Sequence, residues 1–279
     1  MLKTAILTPD PDYEEHWQPV ATRYQTLLGS GVEQRAWNNP GDLSGFDLVL
    51  PLMAWGYQRD PVHWFFALDV WETAGLKFAN PIATLRWNTN KDYLFDLAEA
   101  GVAIVPSQLA HRLTRGDVDA ARNAFGVDTL VIKPTISGGA DGTYRLGPND
   151  PIPFDVLKRE MLIQPLMPMI AREGEFSLFY FAGKFSHAIL KIPEHGDFRV
   201  QEQFGGREVT IDAPVAALTL AKAALAAASG PLTYARVDMV RGEDGEFYLM
   251  ELELIEPSLF LDHARDGGAA FVAAVANRP

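Results

Sequence analysis

The chain has 279 residues, of which 48% are hydrophobic and 22% charged, a composition typical of a globular protein with substantial buried cores. It carries 24 Lys and Arg against 36 Asp and Glu, and a formal net charge of −12 argues against a nucleic-acid-binding protein, which normally presents a basic face. Cysteine is absent, which excludes disulfide bonds, cysteine-ligated zinc and thiol catalysis.

The N-terminal part of the chain alternates strand and helix patterns. Apolar runs at residues 3–8 and 46–52 predict two buried strands, with a helical pattern at 13–28 between them. A helix over 60–75 and a further strand over 76–80 follow. This β-α-β order predicts a small parallel α/β sheet. The first residues form neither a signal peptide nor a membrane span, so we expect a cytoplasmic protein.

A lysine and a glycine-rich loop follow the next strand pattern. After a helix predicted at 90–101, the apolar run 128–134 carries Lys133 and leads into the loop S-G-G-A-D-G. Lysine is rarely buried at a strand end without an anionic partner, and a loop poor in side chains lets backbone N–H groups approach a phosphate. The alternative is an ordinary turn, because glycine pairs mark turns in many proteins. We favour a phosphate contact for Lys133.

The last third of the chain alternates strand patterns with one clear helix. That helix is predicted over 213–228, with Asp212 as its N-cap, Pro214 in its first turn and Gly230 just past its end. A strand-rich hairpin follows it and carries the most informative acidic residues of the sequence.

Three carboxylates converge in this hairpin. Two β-prone runs flank Asp244 and Gly245, a dipeptide favoured in two-residue turns. With that turn, Asp238 lies directly opposite Glu251, and Glu253 shares their face because side chains alternate along a strand. Opposed like charges destabilise a hairpin unless a cation neutralises them, and Mg²⁺ takes one or two carboxylates together with substrate phosphates. The alternative is a solvated acidic face, and the hairpin alone leaves both open.

The sequence has neither a P-loop nor a G-x-G-x-x-G motif, so a nucleotide would bind in another way. Six segments follow one another along the chain: WNTNKDYLFDLAEAGVAIVPS, VIKPTISGGADG, LIQPLM, GEFSLFYFAGKFSHAILK, HGDFRVQEQFGG and the acidic hairpin. In this order they resemble the ATP-grasp superfamily, in particular the branch of prokaryotic glutathione synthetases and related amino-acid ligases that includes the D-cycloserine-forming ligase.

The resemblance implies an α/β protein with α+β subdomains and the ATP-grasp fold. It would comprise a Rossmann-like pre-ATP-grasp domain at 1–83, a small lid subdomain at 84–162 and a C-terminal subdomain with the metal site at 163–279. Its implied cofactors are ATP and Mg²⁺. Its implied partners are small-molecule carboxylate and amine substrates, with no nucleic acid and no membrane, and a homodimer is possible.

The resemblance also implies roles for individual residues. ATP would be contacted by two lysines, the glycine loop and the segment that joins the two ATP-binding subdomains: Lys91, Lys133, Gly138, Gly139, Gly142, Gln164, Leu166 and Glu175. Mg²⁺ would be bound by Asp238, Glu251 and Glu253. Arg199 and Lys191 would face the reacting phosphate or carboxylate.

Each of these assignments has a simpler alternative in the sequence. Lys91, Lys191 and Arg199 are also consistent with surface charges, Glu175 with an exposed strand acid and Gln164 with a structural role. Glu256, which precedes a proline, is interpreted as a strand terminator, and Trp55 and Tyr57 are candidate substrate contacts beyond a strand end.

Two departures from the family pattern narrow the function. The acidic motif reads E-x-E instead of the frequent E-x-N, which keeps oxygen ligation, and Lys191 stands where glutathione synthetases tend to carry arginine. The resemblance therefore implies a related ATP-dependent ligation more than glutathione synthesis. A carboxylate of an amino acid or small peptide would be joined to an amine through an acylphosphate, with release of ADP and phosphate. The alternatives are a small-molecule kinase and a nucleotide-binding module without turnover.

Overall fold

The structure is a computed structural model that describes residues 2–14, 17–194, 199–200, 204–228 and 230–278. In these ranges the strands are β1 (Thr4–Thr8), β2 (Val32–Ala36), β3 (Leu48–Leu50), β4 (Gln108–Ala110), β5 (Leu130–Pro134), β6 (Tyr144–Leu146), β7 (Met161–Pro165), β8 (Glu175–Phe181), β9 (Lys184–Ile192), β10 (Arg207–Ile211), β11 (Tyr234–Arg241) and β12 (Phe247–Glu253). The helices are α1 (Gln18–Leu28), α2 (Pro61–Thr73), α3 (Ile82–Thr89), α4 (Tyr93–Glu99), α5 (Arg115–Phe125), α6 (Met169–Arg172), α7 (Val215–Ala227) and α8 (Ala269–Ala276).

A parallel three-stranded sheet in the order β2-β1-β3 forms the N-terminal part, which confirms the predicted parallel sheet. Every residue of β1 is buried, because one face packs with α1 and α8 and the other with α2. β2 was not predicted, since its sequence V-E-Q-R-A is mostly polar, as suits an edge strand. The strand predicted at 76–80 is reduced to a parallel bridge between Val49 and Phe78.

The second sheet is antiparallel in the order β4-β7-β5-β6 and carries the strand that ends in Lys133 and Pro134. Lys133 lies opposite Leu162 of β7. β7 therefore runs across the predicted subdomain boundary at 162/163 while its pairing partners belong to the preceding segment.

The third sheet is antiparallel in the order β10-β9-β8-β11-β12. Helix α7 packs on it through Ala217, Ala221 and Ala224, and α4 packs in the same core. The predicted N-cap of this helix is wrong: Pro214 takes that position without a side-chain cap, and the exposed Asp212 pairs with Arg265 instead.

The β11–β12 hairpin has the predicted register at the acidic residues but not the predicted turn. Asp238 lies opposite Glu251, as predicted. The loop, however, closes with Gly242 N–H donating to the Glu246 carbonyl at 2.7 Å, so it holds three residues instead of two. A bulge at Met250, between the paired positions of β12, takes up the extra residue. The two deviations compensate, and the carboxylates meet where the sequence places them.

No helix within the described ranges is both long and apolar enough to cross a membrane. A cavity of about 840 Å³ is lined by strands of the second and third sheets, by α1 and by loop segments, among them the one between β3 and α2.

Candidate active site

Four cations and five carboxylates lie around one part of the cavity wall. The cations are Lys91, Lys133, Lys191 and Arg236, and the carboxylates are Glu175, Asp238, Glu251, Glu253 and Glu256. Neighbouring strands position most of them, and their charges act on one another's pKa. This charge arrangement is what distinguishes the cavity chemically.

Asp238 is held by protein donors on several sides. Ser177, its neighbour on β8, donates to it at 2.5 Å, and Arg236 Nη2 lies 2.9 Å and Lys191 Nζ 3.6 Å from its carboxylate. Burial by itself raises the pKa of Asp238, but Arg236 and Lys191 outweigh burial and bring the pKa below its usual value. The ionised form of Asp238 is thus stabilised by the protein itself.

Lys191 and Glu175 form a buried ion pair across the β8–β9 ladder. They lie directly opposite each other, with Nζ and Oε1 2.9 Å apart. Both residues are buried, so the readings of Lys191 as a surface charge and of Glu175 as an exposed acid are wrong. Burial raises the pKa of Glu175 even with Lys191 beside it.

Lys91 connects the start of α4 to the acidic hairpin and to the glycine loop. Its Nζ lies 3.0 Å from Glu251 Oε1 and donates to the Ser137 carbonyl at 2.6 Å. Lys91 is buried, so its reading as a solvated lysine is also wrong. Burial alone raises the pKa of Glu251, but Lys91 and Lys133 outweigh it and lower that pKa. Burial, aided by repulsion from Lys91, lowers the pKa of Lys133 despite its attraction to Glu251.

Glu253 retains an excess of negative charge around it. Arg236 forms an ion pair with it, yet burial, with repulsion from Asp238 and Glu251, raises the pKa of Glu253 to about 7. A group in this state gains from a further cation nearby.

The donor chemistry suits Mg²⁺ at two of the three predicted carboxylates. No three Asp, Glu or His side chains in the described part of the chain converge closely enough to hold one metal ion. The side chains of Glu251 and Glu253 are 29% and 25% exposed, whereas that of Asp238 is 5% exposed and engaged by the protein. Two open carboxylates and the phosphates of a bound nucleotide form a suitable ligand set. A ligand role for Asp238 stays a prediction.

Buried polar side chains of α3 and α4 hold β12 in place. Asn88 accepts from Leu254 N–H at 2.9 Å and donates to the Leu252 carbonyl at 2.7 Å. The Tyr93 hydroxyl accepts from Leu252 N–H at 2.8 Å. These contacts satisfy the free edge of the strand that carries the acids. Sequence reasoning missed them; the available signal was an asparagine within a helix that buries its apolar residues.

The glycine loop is brought only in part to the cavity. Gly138 and Gly139 line it. Gly142 does not belong to the wall: it has φ +67°, and a Cβ atom there would lie 2.8 Å from the Pro134 ring. Gly142 therefore serves the shape of the loop, while the phosphate contacts of the other glycines stay predictions.

The predicted adenine-binding segment lines the cavity, and two of its hydrogen-bond donors already have partners in the protein. Gln164 is buried, and its amide donates to the Ser107 hydroxyl at 2.8 Å, which supports a structural role for the side chain. The backbone N–H of Leu166 donates to the Thr129 carbonyl at 3.1 Å. An adenine contact by either residue stays a prediction.

Arg199 also lines the cavity, and its guanidinium lies 3.6 Å from the centre of the Phe204 ring. The rest of the predicted H-G-D-F-R-V-Q-E-Q stretch, at 195–198 and 201–203, lies outside the described residues. The role of Arg199 at the reacting group stays a prediction.

Glu256 is part of the cavity wall, which the strand-terminator interpretation did not anticipate. Burial, followed by repulsion from Glu253, raises its pKa to about 8. Trp55 and Tyr57 of the N-terminal part also line the cavity, and their contact with a substrate stays a prediction. Burial and the nearby Glu256 charge raise the pKa of Tyr57 well above its usual value.

Comparison with known proteins shows likeness over nearly the whole chain. The cycloserine biosynthesis protein DcsG of Streptomyces lavendulae is 31% identical over 264 residues, 85% of each chain. The crystal structure of the D-cycloserine synthetase DcsG superposes with a TM-score of 0.83 at 26% identity, over 98% of both chains. The D-alanine–D-alanine ligase of Bacillus anthracis, also solved with ATP, shares the fold, with a TM-score of 0.71 at 17% identity over 99% of this chain and 96% of that one. No family model matches the chain.

Proposed function

Because the chain belongs to the ATP-grasp ligases and is related to D-cycloserine synthetase and D-alanine–D-alanine ligase, we propose that it joins a carboxylate to an amine at the expense of ATP. The observation that carries the proposal is the meeting of Lys91, Lys133, Glu251 and Glu253 in one cavity beside the glycine loop. Phosphoryl transfer needs cations around the transferring oxygens, and this wall offers them.

Lys91 and Lys133 are the proposed phosphate-binding cations. Lys133 is held in an environment that disfavours its charge, so an anionic ligand relieves that cost. Lys91 already contacts the glycine loop through Ser137, and a phosphate can replace that carbonyl as its partner. Glu251 and Glu253 would hold Mg²⁺, which neutralises phosphate charge when bound.

The proposed reaction has two steps. In the first step, a substrate carboxylate oxygen attacks the γ-phosphorus of ATP, and the bond between that phosphorus and the bridging β–γ oxygen breaks. The products of this step are an acylphosphate and ADP. The neutral amine then attacks the acyl carbon, the carbon–oxygen bond to phosphate breaks, and the amine loses a proton as inorganic phosphate departs. The cationic wall can stabilise the charge on the transferring group in the first step and on the departing phosphate in the second.

The substrate class is proposed from the relatives. DcsG is named as a D-cycloserine synthetase, and the bacterial ligase is named for D-alanine. A small amino acid is therefore the first substrate to try here. A synthesis of glutathione itself is not part of the proposal, since Lys191 forms a buried pair with Glu175 in place of the arginine expected for those enzymes.

A screen of ATP turnover tests the proposal. The protein, ATP and Mg²⁺ are combined with single amino acids of both configurations, and ADP and phosphate are measured with and without hydroxylamine. A ligase gives ADP with free phosphate, and hydroxylamine captures the acylphosphate as a hydroxamate. Phosphate retained in an organic product would indicate a kinase, and nucleotide binding without ADP formation across the panel would indicate a non-catalytic module.

A further inference from the structure

Glu256 differs from the four other carboxylates around the charged part of the cavity. Asp238, Glu175, Glu251 and Glu253 each form an ion pair with a lysine or arginine. Within the described residues, the side chain of Glu256 has neither an ion pair nor a hydrogen bond to another side chain. Its carboxylate accepts a backbone N–H but has no cation paired with it among these residues. A partly buried carboxylate in a cleft without a paired cation is costly, which makes it a candidate for contact with a ligand.

The charged groups around Glu256 carry more negative than positive charge, and a cationic ligand would neutralise the excess. Five carboxylates face four cations there, which leaves one negative charge in excess if all are ionised. Repulsion from Glu253 adds to the effect of burial on the pKa of Glu256.

Three aromatic residues line the same cavity as Glu256: Trp55, Tyr57 and Phe260. The Glu256 charge acts on the pKa of Tyr57, so these two side chains lie near each other. Phe260 has φ +43°, a left-handed backbone conformation that is unfavourable for an aromatic residue, and strained residues of this kind cluster at active and ligand-binding sites. A carboxylate beside aromatic faces complements a primary ammonium group on a short carbon skeleton, because both the charge and the ring quadrupole attract the cation.

We propose that Glu256 binds a primary ammonium group of the substrate, between the hairpin acids and the aromatic wall of Trp55 and Tyr57. The inference rests on the proposed function, which places the substrate carboxylate at the phosphate-binding lysines. The ammonium can belong to the amino acid whose carboxylate is activated, or to the protonated form of the amine that attacks it. The chemistry of the contact is the same for both sources, and Glu256 acts as a specificity-determining residue for the ligation.

Matched compounds test this contact. Alanine and serine of both configurations carry an ammonium group and a carboxylate. Lactate and glycerate have a hydroxyl in place of the ammonium group, and propionate has neither the ammonium group nor that hydroxyl. Ethylammonium has the ammonium group but no carboxylate. Affinities are measured from the concentration dependence of the thermal shift of the full chain with Mg²⁺ and a non-hydrolysable ATP analogue. Glu256→Gln removes the charge at nearly constant shape. Glu243→Gln makes the same change at an exposed acid that pairs with Arg172, and serves as the control.

We expect at least one ammonium compound to bind the wild type, and to bind Glu256→Gln about 10- to 100-fold more weakly, the usual loss for one charge-assisted contact. Its hydroxy counterpart should bind both proteins alike, and Glu243→Gln should match the wild type. Glu256→Asp, which keeps the charge, should retain part of the preference for ammonium compounds.

The same compounds distinguish the two sources of the ammonium group. If it belongs to the activated amino acid, amino acids but not hydroxy acids support hydroxamate formation. If the source is the attacking amine, hydroxy acids or propionate are activated as well, and ethylammonium binds in a Glu256-dependent way.

Equal affinity of wild type and Glu256→Gln for the ammonium compounds would overturn the inference, as would a wild type that binds none of them. If Glu256→Gln releases phosphate with an unchanged KM for the ammonium-bearing substrate, the role of Glu256 is refuted while the proposed ligase function stands. Glu256-dependent ammonium binding with no phosphate release from any substrate leaves the contact and removes the ligase.

Discussion

Lys91 and Glu251 form a largely buried ion pair, 3.0 Å between Nζ and Oε1, that joins the beginning of α4 to the acidic strand β12. The opposed acids of the hairpin are therefore neutralised by the protein itself: Lys91 serves Glu251, and Arg236 with Lys191 serves Asp238. The self-repulsion expected from the sequence falls on Glu253 and Glu256, whose pKa values are raised to about 7 and about 8.

Glu251→Gln should destabilise the metal-free protein, because Lys91 loses its ionic partner while it remains buried. We expect a loss of about 1–3 kcal/mol in the free energy of unfolding, measured by urea denaturation at pH 7 without Mg²⁺. The pKa of Glu251 is lowered in the folded state, so its contribution is present above the usual carboxyl pKa and disappears as the pH falls through the folded value. The gap between the two proteins should narrow at low pH. Equal stability at pH 7 would mean that the pair contributes nothing.

Glu256→Gln should have the opposite effect. The pKa of Glu256 is raised from 4.5 to about 8, so its favourable contribution is full below pH 4.5 and is lost as the pH rises through about 8. The variant should therefore gain stability relative to the wild type between about pH 5 and 8 and hold that gain at higher pH, with Tm rising about 2–4 °C for each kcal/mol. Glu243→Gln, an exposed change, should follow the wild type. A constant difference across this range would contradict the assignment.

Lys133→Met should weaken nucleotide binding without loss of fold. The substitution keeps an apolar chain of similar length and removes a charge that burial disfavours. We expect the affinity for ATP to fall about 10- to 100-fold, measured by calorimetric titration with a non-hydrolysable analogue, and the metal-free stability to be equal or higher. Lys184→Met, at an exposed position of β9, is the matched control. Unchanged affinity in Lys133→Met would rule out the phosphate contact.

Asn88→Ala should disturb the site indirectly, because Asn88 holds the backbone of β12. The substitution leaves Leu254 N–H without its side-chain partner, which costs about 1–3 kcal/mol, and leaves Leu252 C=O with the Tyr93 hydroxyl as its remaining side-chain donor. Because Leu252 and Leu254 flank Glu253, ATP turnover should also fall, with the KM for Mg²⁺ raised. Asn277→Ala, at the exposed end of α8, should change neither stability nor turnover. A stable Asn88→Ala with a normal KM for Mg²⁺ would show that β12 is positioned without this contact.

The sequence predicted which acidic residues of the hairpin face each other, but not the turn between the two strands. The register of Asp238 and Glu251 is correct although the loop has three residues, because the bulge at Met250 restores the alignment. Side-chain alternation reveals neither the bulge nor the loop length. The predicted register is correct because the shift caused by the longer loop and the shift caused by the bulge cancel. The fold class followed from the β-α-β order and the six family segments, and the comparisons confirm it.

What the sequence could not predict are contacts made across long separations in the chain. Lys91 pairs with Glu251, and Asn88 contacts Leu252, in each case about 160 residues further along the chain. Composition and periodicity report whether a residue suits a helix or a strand, but not which distant charge it meets. For the same reason Glu175 and Lys191, whose pairing depends on the β8–β9 register, were equally consistent with surface charges until the structure was considered.

The central claim, that a carboxylate is activated as an acylphosphate, is tested most directly by isotope transfer. A substrate found in the turnover screen is prepared with ¹⁸O in its carboxylate and converted completely, and the released phosphate is analysed by mass spectrometry. Our account predicts that one ¹⁸O atom from each activated carboxylate appears in inorganic phosphate, because that oxygen bridges carbon and phosphorus in the intermediate. Label found in AMP, or retained entirely in the organic product, would contradict it.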